Sequence, residues 1–460
     1  MTATETERKA MPTRIKTRPQ ARSRWRDGLE ALGWLSGIGA IGFLLASGTA
    51  DFSTGAGLFI ALGRIAGIIA STMIMVQMVL ASRAPIVERV VGHDRALAAH
   101  GRLGRIGFFV LSAHVVLVVL GYAGRSHIGL VDQSVQFALH FGGPMTAGVL
   151  GFGVLCLVIV TSLVAVRARW RYETWHAVHL FSYAAIALTI PHQFLNGTTF
   201  AAGGAATWYW AVLWSVSIGL FVIWRMLRPL ARFFRHNIRV ADVHGLPDGS
   251  TVVTVSGRNL RKLYARPGQY FLWRFLSRDL WDEAHPYSLS RAPLDKWLRI
   301  TVGSAGDYSA ALARLRPGTR VMLEGPLGVF HEQTRVGRRL VLAGAGVGIA
   351  PILAMLEGAS FAPGECTVIL RASRIEEMVH LTEIKALADR RGATVYGFLG
   401  PRGFGWTPRD QPATLAELVP GIRDADIYVC GPEPWTRAVM KDARRAGVPE
   451  AALHHELFAW

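Results

Sequence analysis

Six long apolar stretches in the first half of the chain constrain its fold more than any other feature. A helix of about 20 residues crosses the roughly 30 Å hydrocarbon core of a bilayer, and each stretch reaches about that length. Hydrophobic residues make up 51% of the 460 residues. The sequence therefore predicts a bundle of six membrane-spanning helices. We place them at Leu29–Ser47, Gly57–Ala81, Leu97–Ala123, Met145–Val166, Thr174–Phe194 and Ala206–Met226.

The net charge of +18 is distributed unevenly along the chain. Lys and Arg concentrate before the first stretch, in alternate connections and after the sixth, whereas the other connections carry almost none except Arg125. This alternation follows the positive-inside rule and predicts a multi-pass plasma-membrane protein with both termini in the cytoplasm. It argues against a nucleic-acid partner. The first apolar run exceeds the about 7–15 residues of a secretory signal, which favours a retained helix.

Four histidines lie inside the apolar stretches, where ionisable groups are candidates for function. His100 and His114 are 14 residues apart, which brings them to one face about 21 Å apart along an ideal helix. His179 and His192 are 13 residues apart, and an ideal helix would not align them, but Pro191 can rewind the helix locally. Because the two helices run in the same direction, we expect His100 to pair with His179 at the inner level and His114 with His192 at the outer level.

Two imidazoles at each level would hold two six-coordinate b-type haems, suited to electron transfer. The alternative is that some of these histidines only make polar contacts between helices. His176 competes with His179 for the inner position. Arg64 is the other intramembrane charge, and a haem propionate at the outer level would be a suitable anionic partner. Snorkelling to the outer headgroups is the alternative for Arg64.

The chain after residue 236 has the composition of a soluble region. Alternating strand-like runs and Gly/Pro turns predict two small domains there. Cys156, Cys366 and Cys430 lack the spacing of an iron–sulfur, zinc or disulfide framework. The predicted domains are a disordered basic tail at 1–26, a six-helix haem-binding domain at 27–230, a domain at 236–336 and a nucleotide-binding α/β domain at 337–460.

A glycine-rich turn follows the buried strand that begins at Arg339. A strand that feeds such a turn and then a helix can hold a dinucleotide phosphate at the helix N-terminus. The spacing is GxGxG rather than the full GxGxxG, so the motif alone is weak. Arg371 and Arg374 end the next strand and favour a 2′-phosphate, hence NADPH with NADH possible; a solvated helix start is the alternative. The turn residues are Gly344, Gly346, Gly348 and Pro351.

Several short motifs, taken in order, resemble the flavin-binding barrel of the ferredoxin-reductase family. They are His285, Pro286, Tyr287, Ser288, Leu289 and Ser290, then Gly306, Asp307, Tyr308 and Ser309. The family's usual Arg is His285 here, as in NADPH oxidases and ferric reductases. The resemblance implies that the first group lies against the isoalloxazine of FAD and that the second offers N–H groups to its pyrophosphate. It also implies a nicotinamide site at Cys430, Gly431 and Pro432, and a flavin-covering aromatic at Phe458, with Trp460 as the alternative.

From residue 27 to residue 460 the chain resembles a bacterial member of the NADPH oxidase / ferric reductase superfamily. The implied fold is a multidomain membrane protein: a six-helix transmembrane bundle, an antiparallel β-barrel FAD domain and an α/β Rossmann-like domain. The implied function is electron transfer from cytoplasmic NAD(P)H through FAD and two haems to an extracytoplasmic acceptor, with Arg64, Cys430 and Phe458 as catalytic candidates. O2, reduced to superoxide, is the favoured acceptor. The alternatives are a ferric-chelate or other metal reductase and an electron-donor subunit for a periplasmic partner.

Overall fold

The computed structural model describes residues 18–139, 142–163, 170, 172–403 and 405–457. These residues form two compact units, one at Trp25–Arg228 and the other containing Pro229–Trp460. We describe each unit by itself.

The first unit is helical throughout. Its long helices begin and end close to the predicted apolar stretches. They are α1 (Arg18–Ala46), α2 (Gly55–Ala81), α4 (His93–Ser126), α6 (Gly143–Ser162), α7 (Tyr172–Leu195) and α8 (Gly204–Phe221), with short helices α3 (Pro85–Val90) and α5 (Leu130–Leu139) between them. A π-helical turn at Val222–Leu227 continues α8.

Five helices in the described part of the chain are long and apolar enough to cross a membrane. They correspond to α1, α2, α4, α6 and the helix that begins at Gly204. The predicted fifth span is also a helix, α7, of 24 residues. Its polar residues, including His176, His179, His192 and Gln193, make it less apolar than the others.

The first helix begins at Arg18, inside the segment 1–26 that we predicted to be a disordered tail. This corrects the prediction for residues 18–26. The stretch from Gln20 to Asp27 contains no Gly or Pro, so nothing in it breaks a helix that the apolar residues beyond stabilise.

Glycines allow close contact between helices in the first unit. A Cβ built on Gly63 of α2 would lie 2.8 Å from the Val118 side chain of α4, and one on Gly151 of α6 would lie 2.7 Å from the Ala185 carbonyl oxygen of α7. Small residues let helix backbones approach within a membrane. The bundle is therefore built around two close helix pairs, α2 with α4 and α6 with α7.

The second unit opens with α9 (Arg228–His236), followed by two three-stranded antiparallel sheets. Both sheets contribute to one apolar core, which includes Val253, Phe271, Trp273 and Ile300. The sheet orders are β1-β2-β5 and β4-β3-β6. The strands are β1 (Arg239–Gly245), β2 (Thr251–Ser256), β3 (Tyr270–Phe275), β4 (His285–Ser288), β5 (Trp297–Val302) and β6 (Val321–Leu327), with α10 (Asp307–Leu312) between β5 and β6.

A five-stranded parallel sheet completes the unit, in the order β11-β10-β7-β8-β9. Alternate residues of β7 enter different cores: Leu340 and Leu342 pack on one face, Val341 and Ala343 on the other. This gives the three-layer α/β arrangement expected of buried parallel strands. The elements are β7 (Arg339–Ala345), α11 (Ile349–Gly358), β8 (Cys366–Ala372), α12 (Leu381–Arg391), β9 (Thr394–Leu399), α13 (Leu415–Leu418), β10 (Ala425–Gly431), α14 (Glu433–Arg445) and β11 (Leu453–Leu457).

Candidate functional site

The inner histidine pair meets across the bundle, with the two rings edge to face. The ring centres of His100 on α4 and His179 on α7 are 6.3 Å apart. Nitrogen ligands about 2 Å from a metal ion on either side would place two ring centres about 6 Å apart. The separation therefore fits two imidazoles that share one metal centre. The second inner candidate, His176, has its ring 6.4 Å from that of Trp175.

The outer histidines lie on the same two helices, His114 on α4 and His192 on α7. The structure thus brings the inner pair together and places the outer pair on the same two helices. Their role as haem ligands stays a prediction.

Hydrogen bonds from neighbouring helices orient some of the rings. The Nδ1–H group of His114 donates to the carbonyl oxygen of Gly63 on α2, at 2.7 Å. Ser162 Oγ lies 3.5 Å from His179 Nδ1 and accepts from Trp175 Nε1 at 3.2 Å, while the Trp175 and His179 rings stack. A partner on Nδ1 fixes the tautomer in which Nε2 is the nitrogen that can bind a metal ion.

Two glycines provide room for the outer imidazoles. A Cβ on Gly67 of α2 would lie 2.7 Å from His114 Nδ1, and a Cβ on Gly148 of α6 would lie 2.8 Å from His192 Nδ1. The Nδ1 atoms of His100 and His192 are buried and, among the described residues, have no hydrogen-bond partner. We call the space that Gly67 and Gly148 leave for the outer imidazole rings a glycine cradle. Imidazole rings packed in this way, with buried nitrogen atoms that lack a hydrogen-bond partner, fit a bound prosthetic group.

Arg64 makes a backbone contact in the first unit. Its Nη1 donates to the carbonyl oxygen of Thr49 at 3.0 Å. Within the described part of the chain no acidic side chain pairs with it. An anionic partner for Arg64, such as a haem propionate, therefore stays a prediction.

In the second unit, the predicted flavin-binding residues of β4 pack against the start of α10. The ring centres of His285 and Tyr308 are 3.7 Å apart, and Glu283 Oε2 accepts a hydrogen bond from His285 Nε2 at 2.5 Å. Burial raises the pKa of the Tyr287 and Tyr308 phenols above the usual value, so both stay neutral. The Tyr308 hydroxyl and the Ser290 hydroxyl are buried without a partner in the described ranges. Buried hydroxyl groups without a partner fit a polar ligand such as FAD.

The pyrophosphate-binding motif forms a tight turn. Gly306 has φ +82° and caps α10, which begins at Asp307. Ser309 Oγ accepts from the backbone N–H of Ala305 and donates to the carbonyl oxygen of Gly306, each at 2.8 Å. The serine therefore stabilises the turn that the motif requires.

The glycine turn of the parallel sheet lies against the end of β10. Gly346 adopts φ +56°, and Gly344 and Gly348 touch neighbouring backbone so closely that a Cβ would not fit. Gly348 meets the carbonyl group of Cys430, and Pro351 lies in the first turn of α11. This is the strand–turn–helix geometry on which the dinucleotide prediction depends.

Cys430 and Glu456 lie opposite each other on β10 and β11. Burial, and then the neighbouring Glu456 carboxylate, raise the pKa of the Cys430 thiol well above its usual value, so it stays protonated. Ser288 Oγ donates to Glu456 Oε2 at 3.3 Å. Glu456 thus connects the predicted flavin strand with the predicted nicotinamide site. Next to Cys430, Gly431 packs on Ala345, and Pro432 caps α14.

The two arginines predicted to bind a 2′-phosphate differ in environment. Arg371 is buried, and its guanidinium donates to the carbonyl oxygens of Ala372 and Gly400. Arg374 is 72% exposed and pairs with Glu377 at 3.0 Å. Arg374 is therefore the better placed of the two to meet a ligand. The remaining candidates, Phe458 and Trp460, lie outside the described residues.

Comparison with known proteins relates both parts of the chain to oxidoreductases. The family "Ferric reductase like transmembrane component" matches residues 66–190. The toluate 1,2-dioxygenase electron transfer component of Pseudomonas putida is 27% identical over 48% of this chain and 66% of its own length. A 3-ketosteroid-9-alpha-monooxygenase ferredoxin reductase component of Mycobacterium tuberculosis is 30% identical over 47% of this chain and 60% of its own length. The chain thus spans less than two thirds of these relatives.

Among solved structures, the FAD/NAD-binding domain of a Vibrio cholerae nitric oxide dioxygenase is similar to 49% of this chain. The match covers 99% of that domain at 23% identity, with a TM-score of 0.40. The family match and the reductase relatives together decide the relationship. The chain is a fusion of a segment that matches the ferric-reductase transmembrane family and a part that is similar to reductase components. The resemblance inferred from its motifs is confirmed at this level.

Three features of this fusion were missed by the sequence analysis. Glu456 stands two positions before Phe458, and only the fold shows that it touches Ser288. Gly67 and Gly148 could have been suspected as small residues in membrane helices, but their imidazole neighbours depend on helix pairing. Trp435, three residues after Pro432, had no predicted role; it is 3% exposed and donates to the Trp406 carbonyl oxygen at 2.9 Å. Its role is to pack the α/β domain.

Proposed function

We propose that the chain transfers electrons from cytoplasmic NAD(P)H across the membrane to an extracytoplasmic acceptor. The observation that carries this proposal is the pair of histidine levels in one helix bundle, with ring centres 6.3 Å apart at the inner level. When bound, FAD takes a hydride from NAD(P)H and releases single electrons, and the two haems carry them across the bilayer. The protein holds and orients these groups.

Each part of the chain has a defined task in this proposal. His100, His179, His114 and His192 hold the haems. The strand that begins at His285 and the turn at Gly306 hold FAD, and the turn that begins at Gly344 holds the dinucleotide. The buried Cys430 thiol and Glu456 carboxylate border the position where the nicotinamide would meet the flavin.

The finer architecture belongs to the same proposal. We infer that α7 also crosses the membrane, as the fifth of six spans in chain order, because it packs along α6 and carries two of the four histidines. The two antiparallel sheets form the predicted barrel; a single shared core and bridges between Arg239 and Arg320 and between Leu289 and Ile300 support this. The Arg-rich connections lie in the cytoplasm, in accordance with the positive-inside rule.

O2 is the acceptor that the chain favours, with superoxide as the product. The outer connections are almost free of Lys and Arg except Arg125, which suits a small neutral acceptor better than an anionic iron chelate. A ferric-chelate reductase is the second candidate. A donor subunit for a periplasmic partner is the third, because one relative is the electron transfer component of a dioxygenase and another is the ferredoxin reductase component of a monooxygenase.

NADPH consumption by the purified protein separates the candidates. We expect oxygen uptake under air together with a reporter signal that superoxide dismutase abolishes. If anaerobic reduction of a ferric chelate far outruns oxygen uptake, the chain is a metal reductase. Activity with neither acceptor would favour the donor subunit.

A further inference from the structure

Regular helix geometry does not explain how the His192 side chain at the outer end of α7 is oriented. His192 follows Pro191, which has no N–H group to donate to the preceding turn. On an ideal helix, a residue 13 positions after His179 would point about 140° away from the four-turn position. The direction of the His192 ring must therefore be set by contacts from outside the helix.

Gln193, the residue after His192, forms hydrogen bonds that can hold this end of α7 in place. Its Oε1 accepts from Trp210 Nε1 at 2.8 Å and from Trp214 Nε1 at 3.2 Å, and its Nε2 donates to the Thr189 carbonyl oxygen at 3.0 Å. The two tryptophans stand one turn apart on α8 and are 1% and 3% exposed. One amide thus ties the last turn of α7 to a neighbouring helix and to its own preceding turn.

The tryptophans are themselves fixed. The Trp210 ring stacks on Phe200 with centres 4.6 Å apart and planes 3° apart. Thr207 Oγ1 donates to the Phe200 carbonyl oxygen at 2.6 Å. The α7–α8 connection and the first turns of α8 therefore form a rigid anchor for the Gln193 amide.

We propose that Gln193, held by Trp210 and Trp214, is a positioning residue that directs the His192 imidazole to the outer metal site. The proposal rests on the haem-binding function proposed above. It gives α8, which carries none of the four paired histidines, a task at the outer level. At the inner level Ser162 and Trp175 contact His179 instead, so a defect in this network affects the outer site selectively.

The energetics favour a well-defined network. A buried donor or acceptor without a partner costs about 1–3 kcal/mol, and replacing the amide of Gln193 by an apolar group leaves two indole N–H groups unsatisfied. The last turn of α7 would then shift, and the His192 imidazole would no longer be held in one orientation. In its protonated form, glutamic acid keeps the shape of glutamine, an acceptor oxygen for the two indoles and an O–H donor for the Thr189 carbonyl oxygen.

The test compares Gln193→Leu, Gln193→Glu and wild-type full-length protein for haem content, low-spin spectrum and the reduction potential of each haem. We expect Gln193→Leu to lose the outer haem or shift its potential while the inner haem keeps its wild-type values. Gln193→Glu should retain two low-spin haems. Trp208→Phe, which changes a 74% exposed tryptophan of the same helix, is the matched control and should resemble wild type.

The outcomes are distinguishable. If the wild type binds two haems and Gln193→Leu leaves both spectra and potentials unchanged, the positioning role is wrong. An equal loss of both haems would also overturn it, since that indicates general packing. If Gln193→Leu does not fold, Trp214→Phe removes one donor more gently and must give the same selective shift. A wild type without haem would overturn the proposed function itself.

Discussion

At the scale of single residues, the histidines differ in what holds their second nitrogen. His114 has the Gly63 carbonyl as a partner at 2.7 Å, whereas His192 Nδ1 faces the glycine cradle of α6. A hydrogen bond on Nδ1 raises the basicity of the metal-binding nitrogen. The two proposed ligands of the outer level are therefore unequal, although both are histidines.

Removing one outer imidazole should remove one haem. We expect His114→Ala to bind a single haem, with reduction of the flavin by NADPH unchanged because the flavin-binding residues lie in the other unit. Haem and flavin per polypeptide, measured by extraction, test this. His127→Ala is the control, because His127 is the C-cap residue of the same helix, in the left-handed αL conformation. Two low-spin haems in His114→Ala would contradict the pairing.

The Gly148 cradle makes a second residue-scale prediction. A methyl group there would lie 2.8 Å from His192 Nδ1, and overpacking of this kind typically costs about 1–3 kcal/mol. Gly148→Ala should therefore weaken or distort the outer haem alone. Gly153→Ala on the same helix, where a Cβ meets nothing within 4 Å, should match the wild type. Identical spectra for the two variants would argue against the contact.

Substitution of the two arginines at the end of β8 should affect the KM for NADPH differently. Arg374 is exposed, so we expect Arg374→Ala to raise the KM for NADPH about tenfold or more, as for a lost charged hydrogen bond, with little effect on NADH. Arg371 bonds to backbone carbonyl groups, so Arg371→Ala should lower the melting temperature and affect both nucleotides alike. Steady-state kinetics with each nucleotide decide this. The reverse pattern would restore Arg371 as the phosphate ligand.

At the scale of elements, β5 and α12 are joined by an ion-pair contact. Arg299 Nη2 donates to both carboxylate oxygens of Glu383, and His380 bonds to Thr301 Oγ1. Burial alone would raise the pKa of Glu383, but hydrogen bonds from His380 and Arg299 outweigh it and lower that pKa from 4.5 to about 2. The contact therefore ties the α/β domain to the antiparallel sheets.

The lowered pKa makes the contact acid-sensitive. A carboxylate with a depressed pKa in the folded state stabilises the protein fully above its unfolded pKa, and the stabilisation disappears as the pH falls towards the folded value. At neutral pH the wild type should thus have a higher melting temperature than Glu383→Gln. The difference between the two melting temperatures should become smaller as the pH falls from 4.5 to about 2. Scanning calorimetry measures both melting temperatures, with the exposed Glu376→Gln as control. A gap independent of pH would contradict the ion pair.

The elements show how far sequence reasoning reaches. The apolar stretches that form helices and the GxGxG turn could be predicted from the sequence, because they depend on local geometry. The choice between His179 and His176 as the inner ligand was left open and stays a prediction. The contacts of Glu456, Gly148 and Gln193 depend on which helices or strands become neighbours. Tertiary packing decides that, and the local sequence does not encode it.

At the scale of the whole molecule, the chain passes from a helical unit to a unit of antiparallel and parallel sheets between Arg228 and Pro229. The domain bounds inferred from the change of composition near residue 236 stay a prediction. The start of α1 at Arg18 was not predicted, since basic residues without apolar periodicity look disordered in a sequence window. Apolar residues later in the same helix compensate for them.

The central claim is that electrons cross the membrane through two haems held by four histidines. The most direct measurement is the haem content per polypeptide of the purified full-length protein, with its spectrum recorded before and after addition of NADPH without oxygen. The account predicts two low-spin haems and one FAD, with both haems reduced by NADPH. Fewer than two haems, or haems that dithionite reduces but NADPH does not, would contradict it.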